Sequence, residues 1–289
     1  MESGVSKSIS SFKSSSHQVD GLDSLLRSLS FKKRMFQHDA ACPRILVIES
    51  ERGGLGHLFT ALVFGILTAD SANATLVVPP AFFGGHSNHK PQGYGWFEEF
   101  AGLKGLFPTQ VPSGAAQLES VSSWKGMSEA FTARPCNRTL TVASGHRTWC
   151  PVQGWCIQEM PLGFRTARPF FEALQVYKRL NAGKKHRSKL QVAWHVRVGD
   201  QELGSAEANL KLSAFLKEHL PSDLAEVTVF ASQPLCRNDQ GRFCEWTRKH
   251  PSYTFSTERD EREVLRCMIL ADLLITGGSS FGSIAAQLS

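Results

Sequence analysis

The chain has 289 residues, 42% of them hydrophobic and 20% charged, the composition of an ordinary globular protein with room for one or two domains. No apolar run approaches the roughly 20 residues of a membrane-spanning helix; the nearest, 58–69, is short, contains Thr and Gly, and reads as a buried helix. The net charge of +6 is concentrated, with +3 in the first 35 residues and +6 in Lys178, Arg179, Lys184, Lys185, Arg187 and Lys189, so the broad basic face and stacking aromatics of a nucleic-acid binder are not expected.

Residues 1–40 are rich in Ser (Ser8, Ser10, Ser11, Ser14, Ser15, Ser16) and lack an apolar period. Such a segment buries too little surface to offset its ordering entropy, and a disordered tail is expected. It has the Ser and basic content of a transit peptide, but Glu2, Asp20 and Asp23 argue against one, and it holds no signal-peptide apolar core.

The span 41–165 reads as an N-terminal Rossmann-like domain. Its apolar run 44–49 predicts a strand, a Gly-rich turn follows, then a helix over 57–72 and a strand over 75–79. The stretch 80–165 shows no clear period and carries Pro, Gly and the aromatics Tyr94, Trp96, Phe97 and Phe100. Residues 166–188 read as a linker, with a helix over 169–180 and a basic loop. The basic run suits either a solvated helix end or the attraction of an anionic substrate. The span 189–289 reads as a C-terminal Rossmann-like domain, with strands at 190–196, 226–230 and 272–276 and helices at 210–219 and 260–271. The alternation predicts an α/β fold of two Rossmann-like domains facing a cleft.

Three segments can carry chemistry. In Glu51-Arg52-Gly53-Gly54-Leu55-Gly56-His57 the glycines let backbone N–H groups approach an anion at a helix start, or serve only a tight turn. The spacing is neither a dinucleotide fingerprint nor a P-loop. In His195-Val196-Arg197-Val198-Gly199-Asp200, at the carboxyl end of a strand, His195 and Arg197 leave on one face and Val196 and Val198 on the other. There Arg197 can hold a diphosphate and Asp200 can orient it, or the two can form a structural ion pair. The third segment, Gly277-Gly278-Ser279-Ser280-Phe281-Gly282, contains the Gly-x-Ser-x-Gly of a hydrolase nucleophile elbow. Only nine residues follow Ser280, and none is Asp, Glu or His, so the hydrolase reading fails.

His86 and His89 have no acidic or Cys companion and read as a surface loop; no Asp-x-Asp triplet is present, and no metal is expected. Of the seven cysteines, Cys150/Cys156 and Cys236/Cys244 are spaced to bridge short loops. The sequons Asn73-Ala74-Thr75 and Asn137-Arg138-Thr139 lean the same way, towards an oxidising lumen.

In order and separation the three segments, over roughly 44–289, resemble the motif set of the GDP-fucose-dependent superfamily of α1,2-, α1,6- and protein O-fucosyltransferases. The likeness rests on Gly53-Gly54-Leu55-Gly56-His57, on His195 to Asp200, and on the strand and Ser-Phe turn 271–281. It implies a two-Rossmann GT-B architecture and an inverting, metal-independent transferase without a cofactor, GDP-fucose being the donor substrate. By that resemblance Arg197 holds the β-phosphate and is the catalytic residue, with His195 against the nucleoside and Asp200 beside them. Ser279, Ser280 and Phe281 contact diphosphate and guanosine, and the Gly54, Gly56 and His57 loop closes over the phosphates. A glycan or glycoprotein acceptor and a Golgi setting are implied likewise, as is a C-terminal domain longer than the one that stops at Ser289. Three positions depart from the pattern. Val198 replaces a second Arg, and His57 stands where relatives have Asn. Val264, with Glu263 beside it, lies where an acid would read guanine. An inactive nucleotide- or carbohydrate-binding relative, or a GT-B transferase for another nucleotide sugar, is the alternative.

Overall fold

The computed structural model describes residues 43–49, 54–85, 92–115, 118–121, 130, 136, 138–143, 165, 167–182, 187–196, 204–231, 253–256, 258, 260–276 and 280–289. They form an α/β protein with two four-stranded parallel sheets.

The first sheet has the order β2-β1-β4-β3, with β1 at Arg44–Glu49, β2 at Thr75–Val77, β3 at Leu118–Val121 and β4 at Arg138–Ala143. Ile45, Leu46, Val47 and Ile48 are all buried, the mark of a central strand covered on both faces. Register pairs Leu46 with Leu76 and Leu140, which face helix α1 (Leu55–Ser71) together with Ile48. The opposite face carries Ile45, Val47 and Val77 beside Thr139 and Thr141, two buried threonines whose hydroxyls have no hydrogen-bond partner among the described residues.

Helix α1 is apolar nearly all round because it is covered nearly all round. β1 and β2 lie under it, and Gly65 is close enough to them that a Cβ there would stand 3.1 Å from Ile48 Cγ2. Two short helices, α2 (Ala81–Gly84) and α3 (Trp96–Ala101), bring aromatics to the same core. Phe59 of α1 meets Phe97 edge-on at 6.0 Å and Phe171 at 4.8 Å. Helix α3 ends in a left-handed Gly102 (φ 74°), where Leu103 N donates to Glu98 O and Gly102 N to Glu99 O, the paired bonds of a Schellman stop.

After helical residues 167–173, helix α4 (Val176–Asn181) leads to the second sheet, of order β7-β6-β5-β8. Its strands are β5 (Leu190–Val196), β6 (Ala225–Ala231), β7 (Tyr253–Phe255) and β8 (Leu273–Thr276). Val192, Trp194, Val196, Val227 and Val229 face helix α5 (Gly204–His219) through Leu212 and Leu216. Ala193 and Phe230 face the other way, onto helices α6 (Glu261–Ile269) and α7 (Ser280–Leu288), where Leu265, Met268, Ile269, Ile284, Ala285 and Leu288 are buried. This second core is continuous with the one around α1, and α7 packs directly on α1. The helix that follows β8 therefore rests on the helix that follows β1.

The structure adds elements that the sequence pattern did not predict. β3, β4, α2 and α3 lie in the stretch 80–165, and β7 is a fifth addition outside it. α5 begins at Gly204, six residues before the expected 210, and α1 begins at Leu55 rather than 57. β2 ends at Val77 because Val78 N turns away to Pro108 O and Pro79 has no donor. Asp272 ties the amino end of the second sheet together: its Oδ2 accepts from Gln191 N and its own N donates to Gln191 O, both at 2.8 Å.

Candidate functional site

In the second sheet the chain runs β5, β6, β7 outwards in one direction and then returns to place β8 on the other side of β5. The strand order reverses between β5 and β8, and in open parallel sheets the crevice outside the carboxyl ends at such a reversal is where ligands bind. Register puts His195 of β5 directly opposite Thr276 of β8. The second and third sequence segments thus leave the sheet side by side, although they lie about 80 residues apart.

His195 is 7% exposed. Its ring lies 5.7 Å from that of Phe281, tilted by 43°. Phe281 is half-buried in the first turn of α7 and packs against the same core. The next residue, Gly282, is buried so tightly that a Cβ would meet Thr276 Cγ2 at 2.6 Å, Thr276 Cβ at 2.8 Å and His195 Nδ1 at 3.7 Å. His195, Thr276, Phe281 and Gly282 form one packed group at the strand ends. Thr276 and Gly282 were not singled out from the sequence; the small residue in the first turn after a strand was the available signal, since glycine there permits close helix–strand packing.

The Gly-rich segment behaves differently from a loop. Gly54 is the extended N-cap of α1, and Leu55, Gly56 and His57 form its first turn. Gly54 O accepts from His57 N at 2.9 Å and Leu58 N at 3.2 Å. Gly56 is buried and its carbonyl accepts from Thr60 Oγ1 at 2.9 Å. His57 is half-buried. No acidic side chain occupies the first turn and no side chain caps it, so the partial positive charge of this helix start is not offset within the turn.

Arg197, Asp200 and Ser279 lie outside the described residues, as do Glu51, Val198, His86, His89 and the pairs Cys150/Cys156 and Cys236/Cys244; Ser280 opens α7, but its side chain is likewise outside them. Val264 is half-buried against the core on α6, and Glu263 pairs with Arg266 at 3.5 Å. Cys136 is disulfide-bonded. Among the described residues no group of three or more His, Cys, Asp or Glu could hold a metal ion, and no helix is long and apolar enough to cross a membrane.

Part of the basic run has a structural use. Arg179 sits on α4, and its guanidinium donates to Phe100 O and Leu174 O, both at 3.3 Å. Burial of the guanidinium lowers its pKa from the ordinary value.

No protein-family model matches the chain, and the search of curated proteins finds no match to it. Solved structures of similar shape include the NodZ α1,6-fucosyltransferase co-crystallised with GDP, at 14% identity and TM-score 0.44, covering 84% of this chain and 92% of that one. The fucosyltransferase NodZ from Bradyrhizobium gives the same figures. A variant of FUT1 from Arabidopsis thaliana in complex with GDP is 13% identical, at TM-score 0.43, covering 93% of this chain and 73% of that one.

Proposed function

We propose that the chain is a fucosyltransferase that transfers fucose from GDP-fucose to a glycan or glycoprotein acceptor. The observation that carries this reading is the register of His195 with Thr276 at the strand-order reversal. It brings together two segments that resemble the donor-binding motifs of one superfamily, at the place where an open parallel sheet binds nucleotides. The first motif's helix, α1, is packed on the third motif's helix, α7, so the helices that follow the first and third segments share one core. A GT-B arrangement, with the donor between two Rossmann-like units 41–165 and 189–289, is part of the proposal.

In this reading the acceptor hydroxyl oxygen attacks the fucose anomeric carbon on the face opposite GDP, the bond from that carbon to the β-phosphate oxygen breaks, the hydroxyl proton is released to solvent, and the configuration inverts. Negative charge builds on the departing diphosphate. Arg197 would stabilise it through paired hydrogen bonds, with the turn of Ser279 and Ser280 and the start of α1 at Gly54, Gly56 and His57 adding backbone donors. His195, almost wholly buried beneath Phe281, would act by fixing that ring against the nucleoside rather than by reaching far into the crevice. Asp200 would orient Arg197. No metal is invoked, because the charge is met by Arg197 and N–H groups; a rate that depended on added Mn²⁺ after chelation would refute this. The disulfide at Cys136 supports an oxidising compartment, in keeping with a Golgi lumen.

A second reading, an inactive relative that binds nucleotide or carbohydrate, is favoured by one observation. Val264 is apolar and packed on the core where an acid would read guanine.

Calorimetric titration with GDP-fucose, GDP-mannose and UDP-galactose, beside Arg197→Ala, tests the proposal. Preferential GDP-fucose binding that is weakened in the variant is expected. Folded protein that binds none of the three would overturn it, and preference for another donor would move it to a different transferase.

A further inference from the structure

We infer that Gly282 is a positioning residue for the nucleotide sugar, acting through Thr276, His195 and Phe281; this rests on the donor reading above. Gly282 lies inside α7, where glycine destabilises a helix by about 1 kcal/mol relative to alanine, and its backbone is not in the left-handed region that requires glycine. Conformational freedom therefore does not account for it, and space does. A Cβ would stand 2.6 Å from Thr276 Cγ2 and 2.8 Å from Thr276 Cβ. Rotation about χ1 of Thr276 can withdraw Cγ2, but Cβ does not move with χ1. Relief has to come from the backbone, by about 0.6 Å or more to restore an ordinary 3.4 Å contact with Cβ.

The group that would be displaced is the one at the strand ends. Thr276 is the register partner of His195, and Phe281, the residue before Gly282, packs its ring on His195. Pushing α7 off β8 therefore moves Phe281 relative to His195, and a displacement of this order at a ligand-positioning group costs binding or rate by as much as about a hundredfold. The same reasoning accounts for the last glycine of the Gly-x-Ser-x-Gly pattern at 278–282: close helix–strand packing needs it, without any nucleophile.

The test is a double-mutant cycle of Gly282→Ala and Thr276→Gly, read by calorimetric titration with GDP-fucose and by thermal midpoint. Thr276→Gly removes both atoms that a Cβ would strike. Gly282→Ala should bind GDP-fucose at least about tenfold more weakly than the parent. The double variant should return to within a few-fold of Thr276→Gly alone. Gly282→Ala that binds with parental affinity, even with a lowered midpoint, would show a purely structural glycine and overturn the inference. A double variant that binds no better than Gly282→Ala, or that fails to fold although Thr276→Gly folds, would overturn it too. If Gly282→Ala alone does not fold, recovery of folding and binding in the double variant supports the inference. A parent chain that does not bind GDP-fucose defeats the donor reading instead.

Discussion

The guanidinium of Arg179 donates to the carbonyl oxygen of Phe100, 79 residues earlier in the chain and at the carboxyl end of α3. A cation there meets the negative end of a helix, and a second bond to Leu174 O holds it in place. Gly102, whose left-handed φ of 74° calls for glycine, lies close by, and a Cβ there would stand 2.7 Å from Arg179 Nη2. Arg44 does the same for α1, reaching Ala72 O at 2.6 Å.

Arg179→Ala is therefore expected to lower stability by about 1–2 kcal/mol, while alanine at Lys184 or Lys185 leaves the thermal midpoint unchanged. If those lysines attract an anionic donor, their loss should slow donor association more at low salt than at high salt. Equal midpoints for Arg179→Ala and the parent would show that the contact contributes nothing.

Glu98 is half-buried in α3, and its carboxyl pKa is raised from 4.5, chiefly by desolvation and against the opposing pull of Lys104. A carboxyl whose folded pKa is raised favours the folded state when protonated. Its contribution is full below the unfolded pKa and is lost as pH rises through the higher folded value. Glu98→Gln removes the ionised form, so its thermal midpoint should exceed the parent's at pH 7, with the advantage fading below about pH 4. The charge is also in the first turn of α3, where it is favourable. A midpoint at pH 7 below the parent's would mean that this dipole interaction outweighs the desolvation.

Much of this arrangement was legible beforehand, and the failures have physical causes. β1 announces itself because four consecutive residues are apolar, as a strand buried on both faces requires. β4 is just as central, yet its Thr139 and Thr141 put hydroxyls on the face shared with Ile45 and Val47, and a half-polar strand looks like a loop. β7 has three residues, and α2 has four. Elements this short carry too little period to be read. At the site, the separate strand ends of His195 and Thr276 were readable, but their adjacency depends on sheet order, which no local pattern encodes. Gly282 was visible only as a motif letter; its use appears once Thr276 stands against it.

The continuity of the core from α1 to α7 has a consequence for unfolding. Phe59 is wholly buried between Phe97 and Phe171, so Phe59→Ala is expected to cost about 3–5 kcal/mol. Because that core also contains Ala193, Phe230 and Ile284 of the second half, calorimetry should show one transition displaced as a whole. Two transitions, only one of them displaced, would show that the sheets unfold independently.

The decisive kinetic prediction concerns Arg197. The diphosphate gains negative charge as the sugar bond breaks, so a guanidinium that pairs with it is worth more in the transition state than in the ground state. Arg197→Ala should lower kcat by about a hundredfold or more with a smaller change in KM for the donor. Arg197→Lys keeps the charge but not the two-pronged geometry and should recover only part of the rate. A role confined to anchoring the donor would reverse the pattern, raising KM and sparing kcat. Turnover of GDP-fucose at the parental rate by a folded Arg197→Ala would remove Arg197 from the mechanism, leaving the helix starts and the Ser279–Ser280 turn as the candidates for stabilising the leaving diphosphate.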